Sequence, residues 1–252
     1  MTASLMGPAH EENEWKAANG YVKEERPVQQ VRELLVIGAV NVVFFTGSKP
    51  QMVVAGENRD VINRVKTYID GDKLVIEQDG VTIQGGGGRV HVSGSGNIVA
   101  GGSIHIGGRG GVSMSFGGSS ANVVITSGGC LVGLALPEAP TVDIQGSGDV
   151  VLYGLNQQSL EISIQGSGDV AAFGRVDDLE VEIAGSGDVD ASDLVAAAAR
   201  LSIAGSGDID AHVTRSVKAR IAGSGDIVVR GNPAARDHSV AGSGKVKFKD
   251  RP

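Results

Sequence analysis

The stretch IQGSGDVV at residues 144–151 returns, barely altered, down the rest of the chain. The copies read IQGSGDVA (164–171), IAGSGDVD (183–190), IAGSGDID (203–210), IAGSGDIV (221–228) and VAGSGKVK (240–247). The first glycine of each is Gly146, Gly166, Gly185, Gly205, Gly223 and Gly242, so the spacings are 20, 19, 20, 18 and 19. A near-constant period of this size with strand-like content is the signature of stacked coils. At ~3.3 Å per residue one repeat is about 60 Å of extended chain, a reasonable perimeter for one coil of a β-helix.

Parity along the motif gives the faces. Ile162, Ile164, Gly166, Gly168, Val170 and Ala172 share one side of a strand. Ser163, Gln165, Ser167 and Asp169 share the other. The same alternation recurs in the next two copies, so the apolar face points into the coil and the polar face points out. The glycine pairs Gly146/Gly148, Gly166/Gly168, Gly185/Gly187, Gly205/Gly207 and Gly223/Gly225 fall where the inward face meets a bend. A side chain has little room there, and glycine takes backbone angles that others avoid. Gly-Ser-Gly therefore reads as a corner. A sandwich or jelly roll predicts short strands but not six near-identical corners. A leucine-rich repeat needs a leucine pattern and an asparagine ladder that are not here.

Upstream the pattern is less regular. Leu35–Ile37, Val42–Phe44 and Val53–Val54 are the apolar centres of three predicted strands, and residues 58–65 predict one or two helical turns. DGDKLVIEQDGVTI (70–83) predicts a hairpin that turns at Asp79-Gly80. Residues 85–129 are dense in glycine, with the β-prone runs VHV, SIHI, VSMSF and NVVI between glycine pairs. Gly94 and Gly128 read as earlier, looser copies of the corner, with Asn97 in the aspartate position. The expected layout is a polar arm over 1–18, anchored if anywhere by Trp15, and one domain over 19–250. That domain divides into a β-rich cap (19–84), irregular glycine-rich coils (85–129) and regular coils (130–250).

Bulk composition narrows the function. The 252 residues carry a net charge of −7, which argues against nucleic acid and against electrostatic docking on an anionic membrane. Aromatic residues are only 4%, so the core is aliphatic. Cys130 is the one cysteine, so no intrachain disulfide forms, and it reads as a packed small residue. No apolar run reaches the ~18 residues of a membrane span. The N-terminus lacks the basic and apolar regions of a signal peptide, which leaves a cytoplasmic location or a removed export signal.

The leader NGYVKEERPVQQVRELLVIGAVNVVFFTGSKPQMVVAGENRDVINRVKTYIDGDKLVIEQ (19–78), above all its ERPV and TYIDGDKLVI, followed by serial GSGD corners, resembles the bacterial head-GIN domain. That family is labelled an auto-transporter adhesin. The resemblance covers about residues 19–250. It implies a right-handed parallel β-helix in a bacterial protein, usually exported or membrane-tethered, with no established enzymatic activity.

The one recurrent chemical feature is the column Asp149, Asp169, Asp188, Asp208 and Asp226, which ends at Lys245. Stacked in register, its carboxylates lie ~4.8 Å apart, and each neighbouring pair repels by about 0.9 kcal/mol in water. Three things could hold it: backbone N–H groups at each corner, a bound Ca²⁺, or a partner. Stacked Gln145 and Gln165 would form an amide ladder beside it, and Asp190 and Asp210 add to an acidic, flat side. AGSGKVKF (241–248) is no phosphate loop, since Val246 stands where Ser or Thr is needed. His91 and His105 fall in neighbouring strands, but the five histidines show no metal-ligand spacing. The expectation is therefore a non-catalytic rod with no cofactor that contacts a protein or glycan surface in a bacterial envelope. The alternatives are a self-associating intracellular scaffold, stacking through its open ends into a homo-oligomer, and a carbohydrate-binding or carbohydrate-cleaving β-helix.

Overall fold

The computed structural model describes residues 21–78 and 130–249 in full, and between them the backbone of five strands from 84 to 125. The arm over 1–18 with Trp15, the Asp79-Gly80 turn, Gly94, Asn97 and Gly128 lie outside the described residues. The chain is nearly all β, and its repeats build a parallel β-solenoid.

Four long strands make the middle of the stack: β14 (Val150–Gly166), β15 (Val170–Gly185), β16 (Val189–Gly205) and β17 (Ile209–Gly223). Each runs almost a full coil and pairs in parallel with the next. Only the Ser-Gly-Asp links separate them, except that the last link stops at Gly225. Within each coil the strand bends where the register slips, as between Leu152 and Leu155 or Ala191 and Val195. The alternation seen in the sequence fills the interior. Ile144, Ile164, Ile183, Ile203 and Ile221 stack as one buried column, and Val150, Val170, Val189, Ile209 and Ile227 as another. On the outside, Phe45, Tyr153 and Phe173 stack ring on ring at 5.6 and 5.0 Å.

The first layer is made by the N-terminal segment. β2 (Glu33–Gly38) pairs in parallel with β13 (Thr141–Gly146), and β3 (Asn41–Thr46) with the start of β14. VIGAVNVV (36–43) thus lies in register beneath IQGSGDVV: Val36 under Ile144, Gly38 under Gly146, Val42 under Val150. Residues 33–46 are a coil of the solenoid, and the closing structure lies beyond them. β6 (Lys73–Gln78) stacks on β2, and β5 (Val65–Asp70) folds back antiparallel on it through a turn at Gly71-Asp72. On the other face β12 (Cys130–Leu136) stacks on β3, followed by antiparallel β4 (Gln51–Gly56) and β1 (Val22–Arg26). The short helix α1 (Arg59–Arg64) buries Val61 and Ile62 against this end, and its first turn is held by the Asn58 side chain, which accepts from the Val61 N–H at 3.0 Å. Arg26 ties the layers together by donating to the carbonyls of Ile62 and Val65.

The glycine-rich middle differs from the expected irregular coils. β7 (Gln84–Gly86), β8 (Arg89–Val92), β9 (Ile104–Gly107), β10 (Gly111–Phe116) and β11 (Ser119–Ile125) pair among themselves, in the order β7-β8-β11-β10-β9. All those contacts are antiparallel except β8 with β11. Two strands therefore separate His91 on β8 from His105 on β9, and they are not neighbours.

At the far end β18 (Asp226–Arg230), β19 (Ala235–Gly242) and β20 (Lys245–Lys249) complete the stack. β19 is exposed along its length. Its inward positions carry Arg236 and His238 where the layer beneath has Val217 and Ala219. Both pack on the Phe248 ring, the guanidinium 4.6 Å from its centre and the imidazole edge-on at 5.7 Å. Cationic and polar groups thus cover the last layer, while Lys245, Lys247 and Lys249 stud its edge strand in the way edge strands resist further pairing.

Candidate functional site

The corners explain themselves through the layer beneath. A Cβ on Gly166 would lie 2.1 Å from the Gly146 carbonyl oxygen, and one on Gly185 would lie 2.1 Å from that of Gly166. The second column behaves alike: Gly148 would strike the carbonyl of Val40 at 2.2 Å, Gly168 that of Gly148 at 2.2 Å, and Gly187 that of Gly168 at 2.1 Å. Gly205 and Gly207 would approach the carbonyls below at 2.0 Å, Gly223 and Gly225 at 1.9 Å. The first column also needs glycine for its backbone, with φ between +143° and +151° from Gly146 to Gly223. The close approach has a use. Each corner serine gives its backbone N–H to the glycine carbonyl one layer down, as Ser167 does to Gly146 and Ser186 to Gly166, both at 2.8 Å.

The aspartates form a second ladder across the same corner. The Asp169 N–H donates to Asp149 Oδ1 (3.2 Å), Asp188 to Asp169 (2.9 Å), Asp208 to Asp188 (2.7 Å) and Asp226 to Asp208 (2.7 Å). Asn41 begins the column by accepting from the Asp149 N–H at 3.2 Å, and the Lys245 N–H closes it on Asp226 at 2.9 Å. Each carboxylate thus receives a backbone donor from the coil above rather than from its own corner. Lys247 Nζ lies 2.6 Å from the second oxygen of Asp226, and this ion pair holds that carboxyl below its ordinary value. Among the described residues no group of three or more acidic, histidine or cysteine side chains is placed to hold a metal ion.

The flanking acids are less bare than the sequence suggests. Asp190 and Asp210 are neighbours in register, but Arg230 grips Asp210 through two hydrogen bonds of 2.7 and 2.6 Å. Gln145 and Gln165 stack in register, yet the Gln145 amide donates within its own strand, to Asp143 Oδ2 at 3.4 Å. Cys130 is buried, and desolvation pushes its thiol up to about 11, so it stays an unreactive thiol at neutral pH.

A long concavity lies elsewhere. A groove of about 1060 Å³ runs across the coils, from Gln30–Arg32 at the first layer to Ala235–Asp237 at the last. Its floor is buried and apolar, formed by Val31, Leu160, Leu179, Ala199 and Val217. One wall is low at Ser159, Ala198, Ser216 and Ala235, which carry small side chains, and is interrupted in the same register column by Asp178. The other is a register column that changes sign: Glu161 and Glu180, then Arg200 and Lys218, then Asp237. Arg200 sits 3.6 Å from Glu180 and Lys218 3.9 Å from Asp237, loose and exposed pairs of little energetic weight. The corner motif does not disclose this groove. Its trace in the sequence is positional: each of the five stands five residues ahead of a corner glycine, with its charge free to vary.

The family model described as "Putative auto-transporter adhesin, head GIN domain" matches residues 32–233. No curated protein matches the chain. A crystal structure of a "putative adhesin" from Bacteroides fragilis shares the fold, with 17% identity over 91% of this chain and 97% of that one and a TM-score of 0.62. So does that of a "putative lipid binding protein" from Parabacteroides distasonis, at 18% identity, the same coverages and a TM-score of 0.51. The first layer, the closing helix and all but the last rung of the corner ladders fall within the matched span, and the chain belongs to the head GIN domain family.

Proposed function

We propose that this chain is a non-catalytic adhesion module of a bacterial cell envelope, a stiff rod whose side surface contacts a partner. The observation that carries this reading is the groove. It is open along its length, crosses seven stacked layers from Gln30–Arg32 to Ala235–Asp237, and is backed by continuous parallel sheet, so a long partner meets a surface that does not yield. The family label and the adhesin-like neighbour support the same reading.

The test has two parts. Beads coated with the intact chain should be retained by at least one protein-coated or glycan-coated surface and leave that coat chemically unchanged. Release of oligosaccharide or peptide from the coat would overturn the non-catalytic reading. Cells that make the protein should expose it to a membrane-impermeant amine label, and labelling only after lysis would overturn the envelope location.

A further inference from the structure

We infer that the groove takes an extended polypeptide segment whose charges are segregated, cations toward one end and carboxylates toward the other. This rests on the adhesion reading above and names the partner chemistry of its site.

The groove has the dimensions of a single extended chain. Its seven layers, at ~4.8 Å each, span about 29 Å, which is roughly nine residues at ~3.3 Å each. The floor is sheet backbone over Leu160, Leu179, Ala199 and Val217, whose side chains are buried in the core and whose strands are already paired, so recognition falls to the walls. Those walls are not uniform. The stretch nearer the first layers bears Glu138, Glu161, Asp178 and Glu180. The stretch nearer the last layers bears Arg200 and Lys218, opposite small residues that leave both cations accessible, while Arg236 is turned onto the Phe248 ring. Arg32 and Asp237 sit at the two extremes, each in a loose ion pair, with Asp72 at 3.7 Å and Lys218 at 3.9 Å.

Sign segregation does the discriminating. A polyanion, whether nucleic acid or acidic glycan, meets repulsion from four carboxylates over half its length, and a polycation meets the mirror problem. A neutral glycan finds no aromatic ring among the lining residues on which to lay a sugar face. A polypeptide supplies both signs in a fixed order along an extended backbone, and its small or apolar residues fit over Leu179, Ala199 and Val217.

The experiment is selection from a random nonapeptide library on the intact chain, followed by affinity measurement with the synthetic consensus peptide. The control is the double variant Arg200→Glu/Lys218→Glu. Both side chains are well exposed, so the variant should stay folded at the assay temperature; its unfolding midpoint should fall because the change sets five carboxylates in one column, and that midpoint is measured alongside. Selected peptides should carry basic residues toward one end and acidic residues toward the other. The consensus should bind the double variant about tenfold more weakly or worse, and a peptide with its carboxylates changed to lysines should recover binding to that variant. No enrichment, enrichment of neutral peptides, or an affinity indifferent to the double variant would each overturn the inference. Adhesion of beads is the separating control. If beads coated with the double variant still adhere like the parent, the groove assignment fails while the module reading stands; if parent beads adhere to nothing, the module reading itself fails.

Discussion

The first layer and the repeated layers have the same shape and different letters. Beneath IQGSGDVV lies VIGAVNVV, with Gly38 under Gly146, Val40 under Gly148 and Asn41 under Asp149. Gly38 keeps its glycine and a positive φ of +91°. Val40 does not: a branched side chain occupies the second glycine position and is completely buried. The second glycine column is therefore a consequence of stacking. It is needed where a corner lies directly beneath, and among the described residues none lies beneath Val40. Asn41 teaches the same about the aspartates. An amide oxygen can begin the ladder, so the position requires an acceptor for the N–H above and does not require a charge.

The sharpest way to break this comparison is at Gly187. Its backbone is not in the left-handed region, so contact alone forbids a side chain: the Gly168 carbonyl oxygen at 2.1 Å and Ile164 Cγ2 at 3.0 Å. The nearer obstacle is backbone. Gly187→Val should lose more than about 4 kcal/mol in urea unfolding or fail to fold. The reverse change, Val40→Gly in the first layer, relieves nothing and opens a cavity, and should cost about 2–3 kcal/mol. A Gly187→Val protein as stable as the parent would refute the stacking account.

The ladder gives the next effect. Asp188→Ala strands the Asp208 N–H, and the loss should be about 1–2 kcal/mol. Asp188→Asn reproduces what Asn41 does and removes two repulsions of about 0.9 kcal/mol each at most, so stability should stay within about 0.5 kcal/mol of the parent or rise. An asparagine variant as damaged as the alanine one would show that the charge itself matters. In that event Ca²⁺ is the first suspect, and thermal unfolding in Ca²⁺ against EDTA decides: the midpoints should coincide if the column is only a ladder.

Gly71 isolates the other role of glycine. It turns the β5–β6 hairpin at φ +61°, with nothing within 4 Å of where a Cβ would stand. Gly71→Ala should cost about 1–2 kcal/mol for the left-handed backbone alone, and Gly71→Asn much less. A cost like that at Gly187 would mean that conformation, and not contact, governs both sites.

How much of this the sequence discloses follows from where the information sits. The solenoid is legible from Gly146 onward because stacking imposes the same steric demand at every corner, and identical demands leave identical residues. The interior is legible because Ile162 and Ile164, or Leu201 and Ile203, alternate with polar neighbours. The first layer is hard to read, since freed from a corner beneath it VIGAVNVV keeps from the motif only Gly38, the closing Val42-Val43, an alternation and an amide in place of an acid. The five-stranded sheet between 84 and 125 is not legible either. Short β-prone runs between glycine pairs suit a coil and an antiparallel sheet equally, and pairing is a long-range choice. The groove is hidden for a third reason. It is assembled from one position per coil, and nothing in the stacking fixes whether that position holds Glu161 or Arg200.

The smallest effect lies at the last layer, where the ladder changes character. Asp226 accepts from the Lys245 N–H and, unlike the aspartates beneath it, also has an ammonium at 2.6 Å. Lys247 makes this carboxyl more acidic than an ordinary aspartate, foremost through that hydrogen bond. A carboxyl lowered by folding contributes stability that is complete above its unfolded value and is lost as pH falls through the lower, folded one. Lys247→Met removes the cause, so parent and variant should differ slightly in urea midpoint at neutral pH and converge as the pH drops below 3.8. Asp188→Asn, deep in the column, should respond in the opposite sense at neutral pH, since there the carboxylate has only carboxylates for neighbours along the ladder. If both variants gave the same pH profile, the lysine end would be no different from the middle of the stack, and Lys245 and Lys247 would lose their standing as the residues that terminate the ladder.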